Sequence, residues 1–145
     1  MTELHAIVYV STAIHVLSDT EIQHLLERAR ARNLTEEVTG VLLYTRGNFM
    51  QYIEGSRSGL AKVYDAIKAD PLHHGIIEII NEPREAREFS EWHMAFRYES
   101  NSDLLEGNLQ ESLLSSKLSP PVGVSSPARI LLSGFWNRMS VYKQY

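Results

Sequence analysis

The stretch Asn48-Phe49-Met50-Gln51-Tyr52-Ile53-Glu54-Gly55, NFMQYIEG, poses the question that the rest of the chain answers. Alternate side chains of a strand point to opposite faces, so Phe49, Gln51 and Ile53 share one face. A glutamine amide set between two bulky apolar groups is costly there, because a buried amide without partners costs about 1–3 kcal/mol. Neighbouring elements must supply those partners. The opposite face carries Met50 and Tyr52 and needs a cover of its own.

Working outward, Val38 to Tyr44 reads as the preceding strand, and Arg46-Gly47-Asn48 as a tight turn into the strand that holds Gln51. The hairpin ends at Gly55. Upstream, Ser18-Asp19-Thr20-Glu21 is a capping box. Ile22, Leu25, Leu26 and Ala29 follow at helical spacing, giving an amphipathic helix to about Arg32. Asn33 continues the same stripe as a polar residue at its end. Leu4 to Val10 is a first strand. Downstream, Leu60, Val63, Tyr64 and Ile67 mark a second helix, stopped by Asp70-Pro71. Gly75 to Ile80 is a fourth strand closed by Pro83. Trp92 to Tyr98 is a fifth, with Trp92, Met94 and Phe96 on one face and His93 and Ala95 on the other.

The order β-α-β-β-α-β-β is that of an α+β, ferredoxin-like sheet with both helices on one face. Right-handed crossovers then place strands one and three side by side at the centre. From about Asn101 the pattern changes. Helical apolar spacing runs from Asp103 to Leu118, Ser119-Pro120-Pro121 breaks it, and Pro127 opens another short helix. Residues 1–100 are therefore expected to form the domain, and residues 101–145 a helical extension packed on its open face, because 45 residues make too small a core alone. Leu132, Phe135 and Trp136 are the expected packing groups of that tail.

Bulk composition narrows the function. Of 145 residues, 43% are hydrophobic and 22% charged, as in ordinary globular proteins. A net charge of −4 argues against a nucleic-acid surface. No apolar run reaches membrane-spanning length and the N-terminus has no signal pattern, so a cytoplasmic protein is expected. The chain has no cysteine, which excludes disulfides, thiolate metal sites and thiol adducts. No catalytic Ser/His/Asp grouping or Gly-rich phosphate loop stands out. His73-His74 is the one adjacent histidine pair, and no third ligand stands at a recognisable metal spacing. Neither enzymatic turnover nor a metal is expected.

Strand alternation puts Tyr9 on the same face as Ile7, and Gln51 on the same face as Phe49. In the ferredoxin-like order these two polar side chains stand next to each other beneath the helices, and Asn33 enters from the end of the first helix. Three hydrogen-bonding groups between apolar stripes describe a pocket for a flat, mostly apolar ligand with a polar edge. The residues alone leave a plainer reading open, in which the three groups bond one another or nearby backbone.

The segments IVYVS (7–11), RNLTEEVTGVLLY (32–44), NFMQYIEG (48–55), ADPLHHG (69–75) and EFSEWHMAF (88–96) occur in this order. Together they resemble the BLUF domains, blue-light sensors using flavin, over about residues 3–98. The resemblance implies the same ferredoxin-like fold and a noncovalent flavin, FAD with FMN as the alternative. It implies that Tyr9 is the photochemical tyrosine and Gln51 the switching glutamine, and that Asn33 bonds the flavin ring edge. Leu25, Ala29, Val38, Phe49, Ile53 and Ile67 match positions that sandwich the ring. Asp70 and His73 match positions near the ribityl chain, and Arg32 is a candidate for contact with the flavin's charged tail. Trp92 and Met94 match the pair that responds to light and carries the signal out. Leu72 stands where many members carry arginine. The implied function is a blue-light photoreceptor that self-associates and signals through contact with a further protein, whose identity the sequence does not give. Two other readings are a BLUF-type flavin protein that has lost its light response and senses redox state or stress, and a flavin-free ferredoxin-like hydrolase using Asn33 and an arginine.

Overall fold

Arg46 and Gly47 both adopt positive φ, at 52° and 79°, and close the hairpin that carries Gln51. Positive φ at both central residues is the two-residue turn whose twist matches paired strands. The hairpin joins β2 (Thr39–Thr45) to β3 (Asn48–Ser56), with Thr45 opposite Asn48 and Leu42 opposite Gln51. The computed structural model describes residues 3–89, 94–98 and 127–141.

Around the hairpin, β1 (Leu4–Ala13), β4 (His73–Arg84) and β5 (Ala95–Tyr98) complete a five-stranded sheet of order β4-β1-β3-β2-β5. β1 runs antiparallel to both β3 and β4, and β5 runs parallel to β2. β1 and β3 are thus neighbours inside the sheet, as the element order requires.

Helix α1 (Asp19–Thr35) starts on the anticipated capping box: the Glu21 amide donates to Ser18 Oγ at 3.1 Å and the Ser18 amide to Glu21 Oε1 at 2.9 Å. It continues past Arg32, so Asn33 lies inside its last turn. Helix α2 (Arg57–Ala69) begins where Ser56 Oγ accepts from the Gly59 amide at 3.1 Å. Both helices bury apolar groups against one sheet face, in a layer that includes Ile22, Ala29, Leu60, Val63 and Ile67 from the helices and Tyr9, Leu42, Phe49 and Ile53 from the sheet.

The opposite face presents Ala6, Val8, Val41, Leu43, Met50 and Tyr52, and helix α3 (Pro127–Val141) packs on it through Ala128 and Leu132, with Phe135 at the margin. This helix is longer than the short segment read from Pro127. β4 also extends further than read, passing Pro83 to Arg84. It is an edge strand, where a residue without an N–H is tolerated. Trp92, His93 and the 103–118 segment lie outside the described residues, as does the side chain of Trp136. Among the described residues, no helix is long and apolar enough to cross a membrane.

Candidate functional site

The answer to the glutamine problem lies directly across the sheet. Tyr9 on β1 faces Gln51 on β3 in register. Its hydroxyl donates to Gln51 Oε1, with both residues buried. On its other side, Gln51 Nε2 donates to Met94 Sδ at 3.6 Å. Met94 is itself held by Arg30, whose Nε donates to the Met94 carbonyl at 3.2 Å. A primary amide has two N–H donors and two acceptor lone pairs. Tyr9 and Met94 use one of each, which leaves one donor and one acceptor for a ligand.

Gln51 and Tyr9 form part of the wall of a cleft of about 380 Å³, counting the space open to solvent at its mouth. That is the lower range for small-molecule sites. Leu25 and Ala29 come from α1, Ile67 from α2, Leu42 and Phe49 from the hairpin, and Leu72 from the turn before β4. The remaining groups are polar: Arg32, Asp70 and His73. Asp70 Oδ1 accepts from the Leu72 amide at 2.9 Å, and its other oxygen lies 3.6 Å from Arg28. His73 is fixed at both nitrogens, Nε2 lying 2.7 Å from the Ile67 carbonyl and Nδ1 2.7 Å from Ser11 Oγ. A carbonyl only accepts, so Nε2 carries the hydrogen, and in the neutral ring Nδ1 accepts from the serine hydroxyl. The ring stands edge-on to Phe49 at 5.9 Å.

Burial pushes the Tyr9 phenol well above its usual range; the Arg32 charge opposes this, and Tyr64 and Asp70 add to it. Tyr9 is accordingly a neutral hydrogen-bond donor. Burial also lowers the Arg32 guanidinium, with Tyr9 and Asp70 favouring its charge and Arg28 opposing it. Arg32 Nε is buried with no hydrogen-bond partner among the described residues. A buried donor left unmet costs about 1–3 kcal/mol, and an acceptor from a ligand in the cleft removes that cost. Apolar walls, a half-used amide and this donor fit a flavin.

Eight of the anticipated flavin contacts line this one cleft, Leu25, Ala29, Arg32, Phe49, Gln51, Ile67, Asp70 and His73, together with the anticipated photochemical Tyr9. Asn33, Val38 and Ile53 are buried in the surrounding layer without lining it. The Asn33 carbonyl accepts from the Val38 amide at 2.8 Å, which turns the chain from α1 into β2. Met94 sits behind Gln51, and Trp92 falls outside the described residues. Leu42 and Leu72 belong to the wall but were not read as ring contacts. Pairing of Leu42 with Gln51 across the hairpin was the available signal. Nothing in the helical pattern of α1 marks the bond from Arg30 to Met94.

Comparison with known proteins puts this chain in a class of flavin-using light sensors. Residues 4–95 match the BLUF family model, described as sensors of blue light using FAD. The chain belongs to the BLUF family. It is 30% identical over 92 residues, 63% of its length, to photoactivated adenylate cyclase subunit beta of Euglena gracilis, and covers 11% of that protein. It is 35% identical over 69 residues, 48% of its length, to the blue light- and temperature-regulated antirepressor BluF of Escherichia coli strain K12, covering 17% of that protein. The chain therefore spans less than a fifth of either relative. Among solved structures, the dark state of the BLUF protein BlrB superposes with a TM-score of 0.65 at 34% identity, covering 79% of this chain and 87% of that one. The fold is thus the ferredoxin-like fold of BLUF structures, and the family is one of sensors.

Proposed function

We propose that this chain is a blue-light receptor in which Tyr9 and Gln51 operate a hydrogen-bond switch on a noncovalent flavin. The observation that carries the reading is the bond from the Tyr9 hydroxyl to Gln51 Oε1, with the other end of the same amide bonded to Met94 Sδ. A bound flavin supplies blue-light absorption and a transient acceptor for one electron and one proton. Tyr9 is the donor of both, and its hydroxyl is already aimed at the Gln51 carbonyl oxygen. When Tyr9 gives its proton to Oε1, the amide passes one of its own nitrogen-bound protons on to the ligand side and so rearranges; when electron and proton return, the phenol is restored beside a glutamine with a different donor and acceptor pattern.

Leu25, Ala29, Phe49 and Ile67 hold the ring, with Leu42 added to the walls, and Arg32, Asp70 and His73 meet the polar parts of the cofactor. Asn33, Val38 and Ile53 shape the layer around it. FAD is the expected flavin, in line with the family description, and FMN the alternative. The rearranged amide no longer offers the same N–H to Met94 Sδ, so Met94, together with Trp92, is the first output element. Residues 1–100 act as the flavin-binding domain and residues 101–145 as a helical extension. Output passes by protein–protein contact to a downstream signalling protein from a self-associated receptor in the cytoplasm, with no part played by nucleic acid, membrane, metal or catalytic turnover.

The test is flavin titration of the purified chain followed by blue illumination. Saturable binding of one flavin per chain, and an absorption band that moves reversibly to longer wavelength, is the expected result. A protein that ignores added flavin contradicts it, and one that binds flavin without photoswitching would support the light-insensitive sensor.

A further inference from the structure

Glu54 is a carboxylate with no exposed surface, on the sheet face away from the cleft. Its Oε1 accepts from the Tyr52 hydroxyl at 2.7 Å and the Glu88 amide at 2.8 Å. Its Oε2 accepts from the Phe89 amide at 2.7 Å and the Thr39 hydroxyl at 3.3 Å. All four partners donate, and a carboxylate has acceptor sites for all of them. Arg87 fastens the same corner, with Nη1 on Thr39 Oγ1 at 2.9 Å and the Glu54 carbonyl at 3.2 Å, and Nη2 on the Glu37 carbonyl at 2.7 Å. Glu88 reaches on to Arg84 at 3.0 Å and to Arg129 of α3, whose guanidinium lies 4.9 Å above the Phe89 ring.

Gln51 and Glu54 stand three residues apart on β3 with their side chains on opposite faces. Between them they grip the two ends of the connection from β4 to β5: Glu54 holds Glu88 and Phe89, and Gln51 holds Met94. One end meets Gln51 on the cleft wall and the other meets α3. We propose that Glu54 is a positioning residue for signal output, anchoring the 87–89 end of this connection so that a change at Met94 is passed through Glu88 and Arg129 to α3. The inference rests on the Gln51 switch proposed above. Charge-assisted hydrogen bonds in a buried setting are the strong ones, so a displacement at the Gln51 end is borne by the Glu88 side chain and its pair with Arg129 instead of being lost as slack in the 87–89 backbone.

The experiment is amide hydrogen exchange of the α3 peptides in the full, flavin-loaded chain, dark and lit, with an absorption difference spectrum of each sample. Variants are Glu54→Gln, which sets an N–H against a backbone donor, and Arg129→Gln, which removes the charge pair with Glu88 and the guanidinium over Phe89 from a half-buried position. In the wild type, light is expected to change α3 exchange at least threefold. Both variants keep the full spectral shift, while their lit-to-dark exchange ratio in α3 falls to about one. Should Glu54→Gln fail to fold, Arg129→Gln decides alone. Wild-type α3 that ignores light, or variants that respond as the wild type does, overturn the anchor. A wild type without a spectral shift sinks the Gln51 switch, and with it the coupling.

Discussion

The Tyr9 hydroxyl donates to the carbonyl oxygen of Gln51 from the directly opposed position on the neighbouring strand. The pairing explains how an amide survives between Phe49 and Ile53. It also fixes the amide's polarity, because a neutral phenol in this setting gives its hydrogen and the nitrogen must turn to Met94. The amide thus lies between a phenol and a thioether, and the phenol is the neighbour that can give up an electron and a proton together.

Replacing Gln51 by Leu keeps the volume and removes both bonds. The variant should bind flavin and stay yellow but show no reversible shift under blue light. Leaving the Tyr9 hydroxyl without an acceptor should lower stability by about 1–3 kcal/mol, read as a reduced denaturation midpoint in urea. A normal light response in this variant would remove Gln51 from the mechanism.

Arg32 brings a buried, unmatched Nε to the cleft. Arg32→Ala should weaken flavin binding by roughly ten- to a hundredfold, the equivalent of a charge-assisted hydrogen bond of about 1.5–3 kcal/mol. Titration monitored by flavin fluorescence measures this. Unchanged affinity would assign the flavin's polar groups to Asp70 and His73 instead.

The hairpin itself is sensitive at Gly40. A Cβ there would sit 2.0 Å from the Tyr52 carbonyl oxygen, a backbone atom that cannot move aside without opening the β2–β3 ladder. Gly40→Ala should cost about 3 kcal/mol or more. By contrast a Cβ at Gly134 in α3 meets nothing within 4 Å, and Gly134→Ala should stabilise by about 0.5–1 kcal/mol through helix propensity. Urea unfolding of the two variants checks both signs.

Alkaline pH should unfold the protein through its tyrosines. Burial, foremost, raises Tyr9 and Tyr52, and lifts Tyr64 to about 12. The unfolded chain ionises near the ordinary value of about 10, so it releases protons first. Stability is full below that pH and falls as pH rises toward the folded-state values, by about 1.4 kcal/mol per pH unit for each such phenol. Tyr52→Phe should reduce the slope above pH ~10 by one proton's worth, measured as unfolding free energy at several pH values. An unchanged slope would mean that Tyr52 ionises freely in the fold.

Much of this was legible in local pattern. The capping box at Ser18 and the turn at Arg46-Gly47 formed as read, and alternation combined with the ferredoxin-like strand order put Tyr9 and Gln51 side by side on one face. Strand ends were less legible. β4 runs through Pro83 because it lies at an edge, a property of the assembled sheet and not of the segment. Asn33 follows the helical stripe yet sits within the helix's last turn, off the cleft wall. The Met94 sulfur as second partner of Gln51, the hold of Arg30 on Met94, and the four donors around Glu54 all come from groups far apart in the chain, some of them backbone amides in an irregular connection. Periodicity carries no information about such contacts.

The most direct test of the switch is the light-minus-dark absorption difference spectrum of the flavin-loaded wild type, recorded beside Tyr9→Phe. A reversible displacement of the flavin band to longer wavelength in the wild type, absent from a variant that still binds flavin, is the expected outcome. The same displacement in Tyr9→Phe would contradict the account at its centre.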